Sequence, residues 1–242
     1  MQFVDHVFIL LLFVLQPIHG AFESRYYLER VKAGQPAERV RFYRQTALIE
    51  WIFFVLLIAA WVDFGRPIAD LGFVMSAGPG FWSGVFLCIA MTGYLLYAWR
   101  TAKNAGTSDK ARYADSFGDL IIYLPHTRRE THNFYAVSIT AGIVEEVVYR
   151  GFVIWYLSQY MPVWGAVVVS SVAFGLGHSY QGASGALRTG LVGLAFGVLY
   201  VMTGSIWLPI IAHALLDLLQ GAAIHEILSK DDDQLEAEPT SS

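Results

Sequence analysis

The feature that most constrains this chain is a series of apolar segments long enough to cross a bilayer, separated by polar loops. They cover approximately residues 3–16, 46–62, 81–99, 133–160, 163–177, 186–202 and 206–219. Hydrophobic residues make up 55% of the chain and charged residues only 15%, whereas soluble domains have about 25% charged residues. The sequence therefore predicts an all-α, polytopic membrane helix bundle with about seven transmembrane helices.

Basic residues predict the orientation of this bundle. Two loops carry most of them, namely Arg25, Arg30, Lys32, Arg39, Arg41 and Arg44 after the first segment, and Arg100, Lys103, Lys110, Arg112, Arg128 and Arg129 after the third. The loop after the second segment has only Arg66. The positive-inside rule then predicts a multi-pass protein of the cell membrane with its N-terminus outside and its C-terminus in the cytoplasm. The first segment carries Asp5 and His6 where a signal peptide has basic residues, which indicates an uncleaved helix.

The remaining composition excludes several classes of function. The net charge is −4, which gives no indication of a nucleic-acid partner. The only cysteine, Cys88, lies in an apolar run, so the chain has neither a disulfide framework nor a cysteine-based metal site. The bilayer itself is the partner that the composition predicts.

Three charges interrupt the most apolar half of the chain, in the stretch TAGIVEEVVYRGFVIWYL at residues 140–157. A charged side chain at mid-bilayer costs roughly 2.5 to 3.5 kcal/mol on insertion scales. Glu146 and Arg150 are four residues apart on one helix face and can form an ion pair. Glu145 lies about 100° round the helix, which leaves one carboxylate free for chemistry. The alternative is a buried polar clamp that only fixes helix packing.

Two histidines and an aspartate accompany these charges in the same half of the chain. His178 ends the fifth apolar segment in FGLGH, while His213 and Asp217 lie four residues apart in HALLD. A single histidine at membrane depth is usually a packing residue. Together with Glu145 on another helix, these residues predict one polar active site among the last four helices.

These residues also resemble a known family. EEVVYRG, FGLGH and HALLD are similar to the motifs E-E-x-x-x-R, F-x-x-x-H and H-x-x-x-N/D of the CPBP family, the CAAX-protease and bacteriocin-processing group of intramembrane proteases. The preceding LPHTRRE at residues 124–130 resembles the segment that leads into the first motif of bacterial members. The resemblance covers approximately residues 124–220.

The resemblance implies a role for each matching residue. Glu145 would be the general base that activates a water, and His178 would help to hold that water. His213 and Asp217 would polarise the scissile carbonyl as an oxyanion hole. Prenyl-protein proteases typically have Asn at the position of Asp217, so this aspartate is expected to orient or charge His213 instead. Glu146 and Arg150 would be structural or would orient the substrate.

The same residues leave a metal-dependent alternative open. Two histidines and one carboxylate, here His178, His213 and Glu145, form a known catalytic zinc ligand set. The sequence contains no H-E-x-x-H motif, and Glu145 beside an Arg-paired Glu146 resembles a base more than a ligand. We therefore expect catalysis without a metal or other cofactor, with zinc as the alternative.

The function predicted from the sequence is that of an intramembrane endopeptidase acting on a membrane-tethered protein or peptide. Two alternatives are a non-catalytic immunity or scaffold protein and a proton-coupled carrier. The predicted organisation has N-terminal transmembrane helices and basic loops at residues 1–120, a CPBP-type protease core at 121–228 and a disordered acidic tail at 229–242.

Overall fold

The structure is a helix bundle. The computed structural model describes residues 1–34 and 38–228, except for the side chains at positions 23 and 119, and within these residues it contains no strand. The helices are α1 (Phe3–Lys32), α2 (Arg39–Asp63), α3 (Pro79–Lys103), α4 (Thr107–Ser116), α5 (Arg128–Glu146), α6 (Val163–Gly177), α7 (Gly182–Thr203) and α8 (Trp207–Leu228). Three 3-10 segments connect them, Ile68–Leu71, Gly118–Tyr123 and Ser179–Gln181. The all-α prediction is confirmed, whereas the predicted tail lies outside the described residues.

Five helical segments among the described residues are long and apolar enough to cross a membrane, which confirms a polytopic membrane bundle. They are α1, α2, α3, α8 and Ser179–Thr203, which contains α7. The predicted count of seven is not confirmed. Helix α6 has 15 residues and spans about 22 Å, less than the hydrocarbon core of about 30 Å, and α5 begins with the polar sequence RRETHN.

Helix α1 is longer than the sequence analysis predicted. It does not end near Gln16 but continues to Lys32, so that basic residues assigned to a loop lie on its last turns. A π-helical segment at Leu11–Leu15 precedes Pro17, and such a widened turn accommodates the missing proline donor without ending the helix. The following sequence, FESRYYLERVK, is rich in residues of good helix propensity.

The start of α1 is held by a buried ion pair. Arg66, in the loop after α2, donates two hydrogen bonds of 2.8 Å each to the carboxylate of Asp5, which is 2% exposed. The guanidinium also lies 5.1 Å from the ring centroid of Trp61 and 4.8 Å from that of Trp155. This cluster explains the unusual Asp5 and joins the start of α1 to the end of α2.

The centre of the bundle is α5 together with its continuation. After Glu146 the helix widens into a π-helical segment, Val147–Val153, and ends with the turn Ile154–Leu157. Every residue of the π-helical segment is buried. The fold therefore places the charged motif of this helix among neighbouring helices and away from lipid, where a buried charge can find a partner.

The outer helices present the surface that a bilayer would cover. Large apolar side chains of α2 and α3 are exposed, among them Leu48, Ile52, Val55, Phe86 and Ile89. Apolar patches of this extent are rare on soluble monomers. Their position on the candidate spans supports multi-pass insertion in a membrane.

We expect Asp5→Asn to lower the midpoint of thermal unfolding in detergent, because it leaves Arg66 without its anionic partner. Breaking a buried ion pair typically costs roughly 3 to 5 kcal/mol. Asp70→Asn is the matched control, since Asp70 is exposed in the same loop region. Equal midpoints for the two variants would show that the Asp5–Arg66 pair contributes nothing to stability.

Candidate active site

Glu146 is the hub of the polar cluster. Its side chain is completely buried at the end of α5. Oε1 accepts a hydrogen bond of 2.8 Å from Nη1 of Arg150 and another of 2.7 Å from Nδ1 of His213. Because a carboxylate can only accept, Nδ1 of His213 must carry the hydrogen. Glu146 therefore fixes the ring of His213 in α8 from the neighbouring helix.

Arg150 connects this hub to α6 and α7. Its Nη2 donates to the carbonyl of Gly193 at 3.0 Å, and the guanidinium lies 4.6 Å from the ring centroid of Phe174. A Cβ atom at position 193 would lie 2.9 Å from the Phe174 ring and 3.2 Å from Nη2. Glycine is thus required for this approach, and Gly193 and Gly197 together form a G-x-x-x-G pair, a spacing that lets helices pack closely.

Glu145 remains free of the arginine, as the helical spacing predicted. Its Oε1 lies 3.7 Å from Nε2 of His178, and its Oε2 lies 3.7 Å from Nε2 of His213. The side chain is 12% exposed. The structure therefore brings Glu145 and both histidines together, although they come from three different helices.

His178 faces Glu145 because of its position at the end of α6. It caps that helix, with φ −101° and ψ 17°, and its Nδ1 lies 2.9 Å from the carbonyl oxygen of Phe174. A carbonyl can only accept, so Nδ1 carries the hydrogen. The other nitrogen, Nε2, is then directed toward Glu145 with an available lone pair in the neutral ring.

Asp217 lies at the open side of the cluster. Its Oδ2 is 3.5 Å from Nε2 of His213, and its side chain is 29% exposed. The shorter contact to the ring, at 2.7 Å, comes from Glu146 on the opposite nitrogen. The structure therefore assigns the tight anchoring of His213 to Glu146, while Asp217 faces the same nitrogen as Glu145.

A further carboxylate, Glu50, was missed by the sequence analysis. It lies on α2, and its Oε2 is buried with no hydrogen-bond partner among the described residues. It interacts electrostatically with Glu145, His213 and Asp217. The signal was available, because an ionisable residue inside an apolar span is a functional-site hypothesis by default. Only the packing of α2 against α5 shows which site it faces.

A bound metal ion requires several ligand side chains that converge on one point. Within residues 1–34 and 38–228, no group of three His, Cys, Asp or Glu side chains is arranged so that it could hold a metal. His178, His213 and Glu145 nevertheless converge, with 3.7 Å from the Glu145 carboxylate to each Nε2 atom, so zinc remains the alternative to a metal-free site. One ring nitrogen of each histidine hydrogen-bonds to Phe174 or to Glu146, and the Nε2 atoms of both rings face Glu145.

One family model matches part of this chain. Residues 128–219 match the family described as type II CAAX prenyl endopeptidase Rce1-like. The match confirms the resemblance to the CPBP and CAAX proteases, and it covers less than half of the chain. It includes Glu145, Glu146, Arg150, His178, His213 and Asp217 but not Glu50. No curated protein and no solved structure matches the chain.

We expect Glu146→Gln to destabilise the protein much more than Glu145→Gln does. Replacing Glu146 leaves the buried Arg150 without a counter-charge, at a cost of roughly 3 to 5 kcal/mol. Glu145 forms no ion pair with Arg150 and should tolerate the isosteric amide. Thermal unfolding of the two purified variants measures the difference. A Glu145→Gln protein that is as unstable as Glu146→Gln would contradict this division of roles.

Proposed function

We propose that this chain, whose residues 128–219 carry an Rce1-like segment of the type II CAAX prenyl endopeptidase family, is an intramembrane endopeptidase that cleaves a membrane-tethered protein or peptide. One observation carries the proposal. The carboxylate of Glu145 is free of Arg150 and lies 3.7 Å from the Nε2 atoms of both histidines. A scaffold or immunity protein would not require this arrangement of unpaired groups in its core.

Glu145 and His178 would activate the water. Two groups 3.7 Å apart can each lie about 2.8 Å from one water placed beside them, which is normal hydrogen-bond length. The water would donate one hydrogen to Glu145 and the other to Nε2 of His178. Glu145 would then take the proton as the water oxygen attacks the carbonyl carbon, which is general base catalysis.

His213 would stabilise the oxyanion that this attack creates. Glu146 fixes the ring through Nδ1, so that Nε2 is directed into the site and can donate when the ring carries both hydrogens. The intermediate would collapse by breaking the carbon–nitrogen bond, while the proton held by Glu145 passes to the leaving nitrogen. The products are a carboxylic acid, which then releases its proton to water, and an amine, and no covalent intermediate is formed.

The proposed reaction uses no metal. The low exposure of Glu145 and His178, at 12% and 15%, provides the water-restricted setting in which the charge of a metal-free base acts strongly. A zinc-dependent version of the same protease is the alternative that the experiment below tests.

Replacing the proposed base should remove activity without unfolding the protein. We expect Glu145→Gln to lower the cleavage rate by about 100- to 10,000-fold, the usual contribution of a general base. The assay uses purified protein in proteoliposomes with two peptides, one farnesylated at a CAAX sequence and one anchored by a C-terminal apolar tail. Glu38→Gln, an exposed glutamate preceding α2, is the control and should remain active.

The same samples test the metal alternative. Elemental analysis before and after chelation should show that activity does not follow zinc content. Stoichiometric zinc, with activity lost to the chelator and recovered on adding zinc, would replace the base mechanism with a metal-dependent one. A fully active Glu145→Gln enzyme would end the proposal itself.

Loss of the His213 ring should slow the reaction more than loss of the Asp217 charge. We expect His213→Ala to lower the rate by about 100- to 1000-fold, the typical effect of losing one oxyanion-hole donor. Asp217→Asn should retain much of the activity, because Glu146 already anchors the ring at 2.7 Å. Single-turnover rates of the two variants make the comparison. An Asp217→Asn enzyme as slow as His213→Ala would assign Asp217 an essential role.

We propose that the N-terminus lies outside and the C-terminus in the cytoplasm. The positions of the helix ends support placing the two termini on opposite sides of the membrane. Asp5, at the start of α1, contacts Arg66 beyond the end of α2, whereas His225, near the end of α8, contacts Thr131 at the start of α5. Reporter fusions at the two termini should therefore report opposite compartments, and the same compartment for both would refute this topology.

A further inference from the structure

Helix contacts place Asp217 at a defined depth in the bundle. Helices α5 and α8 are antiparallel, since the Thr131 hydroxyl lies 3.1 Å from His225 Nδ1 while a Cβ at Gly142 would lie 2.8 Å from the Ala214 side chain. Eleven residues separate the two contacts on both helices. Asp217, three residues after Ala214, therefore lies level with residue 139.

The contacts of α2 place Glu50 at the same depth. Arg44 donates to the Asn133 side chain at 2.9 Å, and the Trp51 indole donates to the Thr140 hydroxyl at 3.1 Å. Both pairs are 89 residues apart, so α2 and α5 run parallel in constant register. Glu50, one residue before Trp51, is thus also level with residue 139.

The backbone at Glu50 and Asp217 lies below the backbone at Glu145, although the Asp217 carboxylate reaches up to His213 Nε2 at 3.5 Å. Residue 139 precedes Glu145 by six residues, which corresponds to about 9 Å along a helix. The displacement is toward the end of the bundle where Arg39 pairs with Glu130 at 3.4 Å. The two carboxylates come from α2 and α8, which both pack against α5, and Glu50 interacts electrostatically with Asp217.

Among the described residues, neither carboxylate pairs with a lysine or arginine, and both share the His213 ring with Glu145. Glu50 leaves Oε2 buried without a partner among the described residues. The Asp217 carboxylate faces only His213 Nε2, at 3.5 Å, and is partly open. Arg150 is already engaged by Glu146 and the Gly193 carbonyl. Leaving a buried acceptor unsatisfied destabilises the protein, and more so when the acceptor is charged, so a donor supplied by a ligand would relieve this cost.

The two carboxylates indicate which chemical group would serve as that donor. Two carboxylates favour a donor that carries positive charge. Ammonium and guanidinium groups carry several N–H donors and a positive charge, which match two separated carboxylates. They can also reach the pair from the polar end of the bundle on a long flexible side chain.

We propose that Glu50 and Asp217 form a binding site for a positively charged group of the substrate, a lysine or arginine side chain near the scissile bond. That the bound group belongs to a substrate rests on the proposed function. The acidic, cation-selective site is a property of the chain itself. Glu50 would act here as a specificity-determining residue that lies outside the segment matching the Rce1-like family. The cation would lie on the Arg39–Glu130 side of Glu145.

Cysteine labelling tests the site without any substrate. In a Cys88→Ala background, which removes the only cysteine, Glu50→Cys is treated in membranes with a cationic trimethylammonium-ethyl and an anionic sulfonatoethyl methanethiosulfonate. Thr107→Cys, at the exposed start of α4, supplies the reference ratio of rates. Val55→Cys, on the exposed apolar side of α2, should not react.

We expect Glu50→Cys to react, with a cationic-to-anionic rate ratio at least about tenfold above the reference, as charge steering into a cleft predicts. Adding Asp217→Asn should remove most of this preference. An unreactive Glu50→Cys, or a ratio equal to the reference, would overturn the proposal. If Glu50→Cys does not fold, the same reagents are applied to Asp217→Cys, with Glu50→Gln as the second change and the same outcomes expected.

Turnover then distinguishes this inference from the proposed function. Peptide pairs that differ only by lysine or norleucine beside the cleaved bond should show a lysine preference in KM, which Glu50→Gln abolishes with little change in kcat. Cleavage without any lysine preference would overturn the inference and leave the protease intact. Absence of all cleavage with cation-selective labelling would reject the protease and retain the site.

Discussion

The rest of the site depends on one buried carboxylate oxygen, Oε1 of Glu146. It accepts hydrogen bonds from both Arg150 and His213, and it has no exposure to solvent. A buried charge is tolerated only when it is paired and hydrogen-bonded. This requirement ties the end of α5 to α8 directly, and to α6 and α7 through the contacts of Arg150 with Phe174 and Gly193.

Two adjacent glutamates consequently have opposite environments. Glu146 is neutralised by Arg150 and holds His213 in position, whereas Glu145 projects toward the Nε2 atoms of His178 and His213. The helix changes to π geometry immediately after this pair, a feature that is often found at functional sites. Adjacent residues on a helix point about 100° apart, so one motif supplies both a structural and a reactive carboxylate.

Close helix packing makes this arrangement possible inside an apolar bundle. Gly193 leaves room for the guanidinium, and Gly142 allows α5 to approach the backbone of α8 at Ala214. In lipid there is little hydrophobic drive between helices, so close contacts and hydrogen bonds hold them together. The Asp5–Arg66 pair does the same for the start of α1. The polar groups of this protein therefore connect helices as well as supplying the proposed chemistry.

The sequence by itself determined the all-α membrane class, the pairing of Glu146 with Arg150 and the freedom of Glu145, because apolar run length and the 3.6-residue helical period are local properties. It also identified both histidines, since polar residues in apolar spans are conspicuous. Only the tertiary structure decided that α1 continues to Lys32, that Glu146 rather than Asp217 makes the short contact to His213, and that Glu50 faces the site. Each of these depends on the register and rotation of helices distant in sequence. Those are set by side-chain packing across the bundle, such as Trp51 against Thr140, which no local pattern encodes.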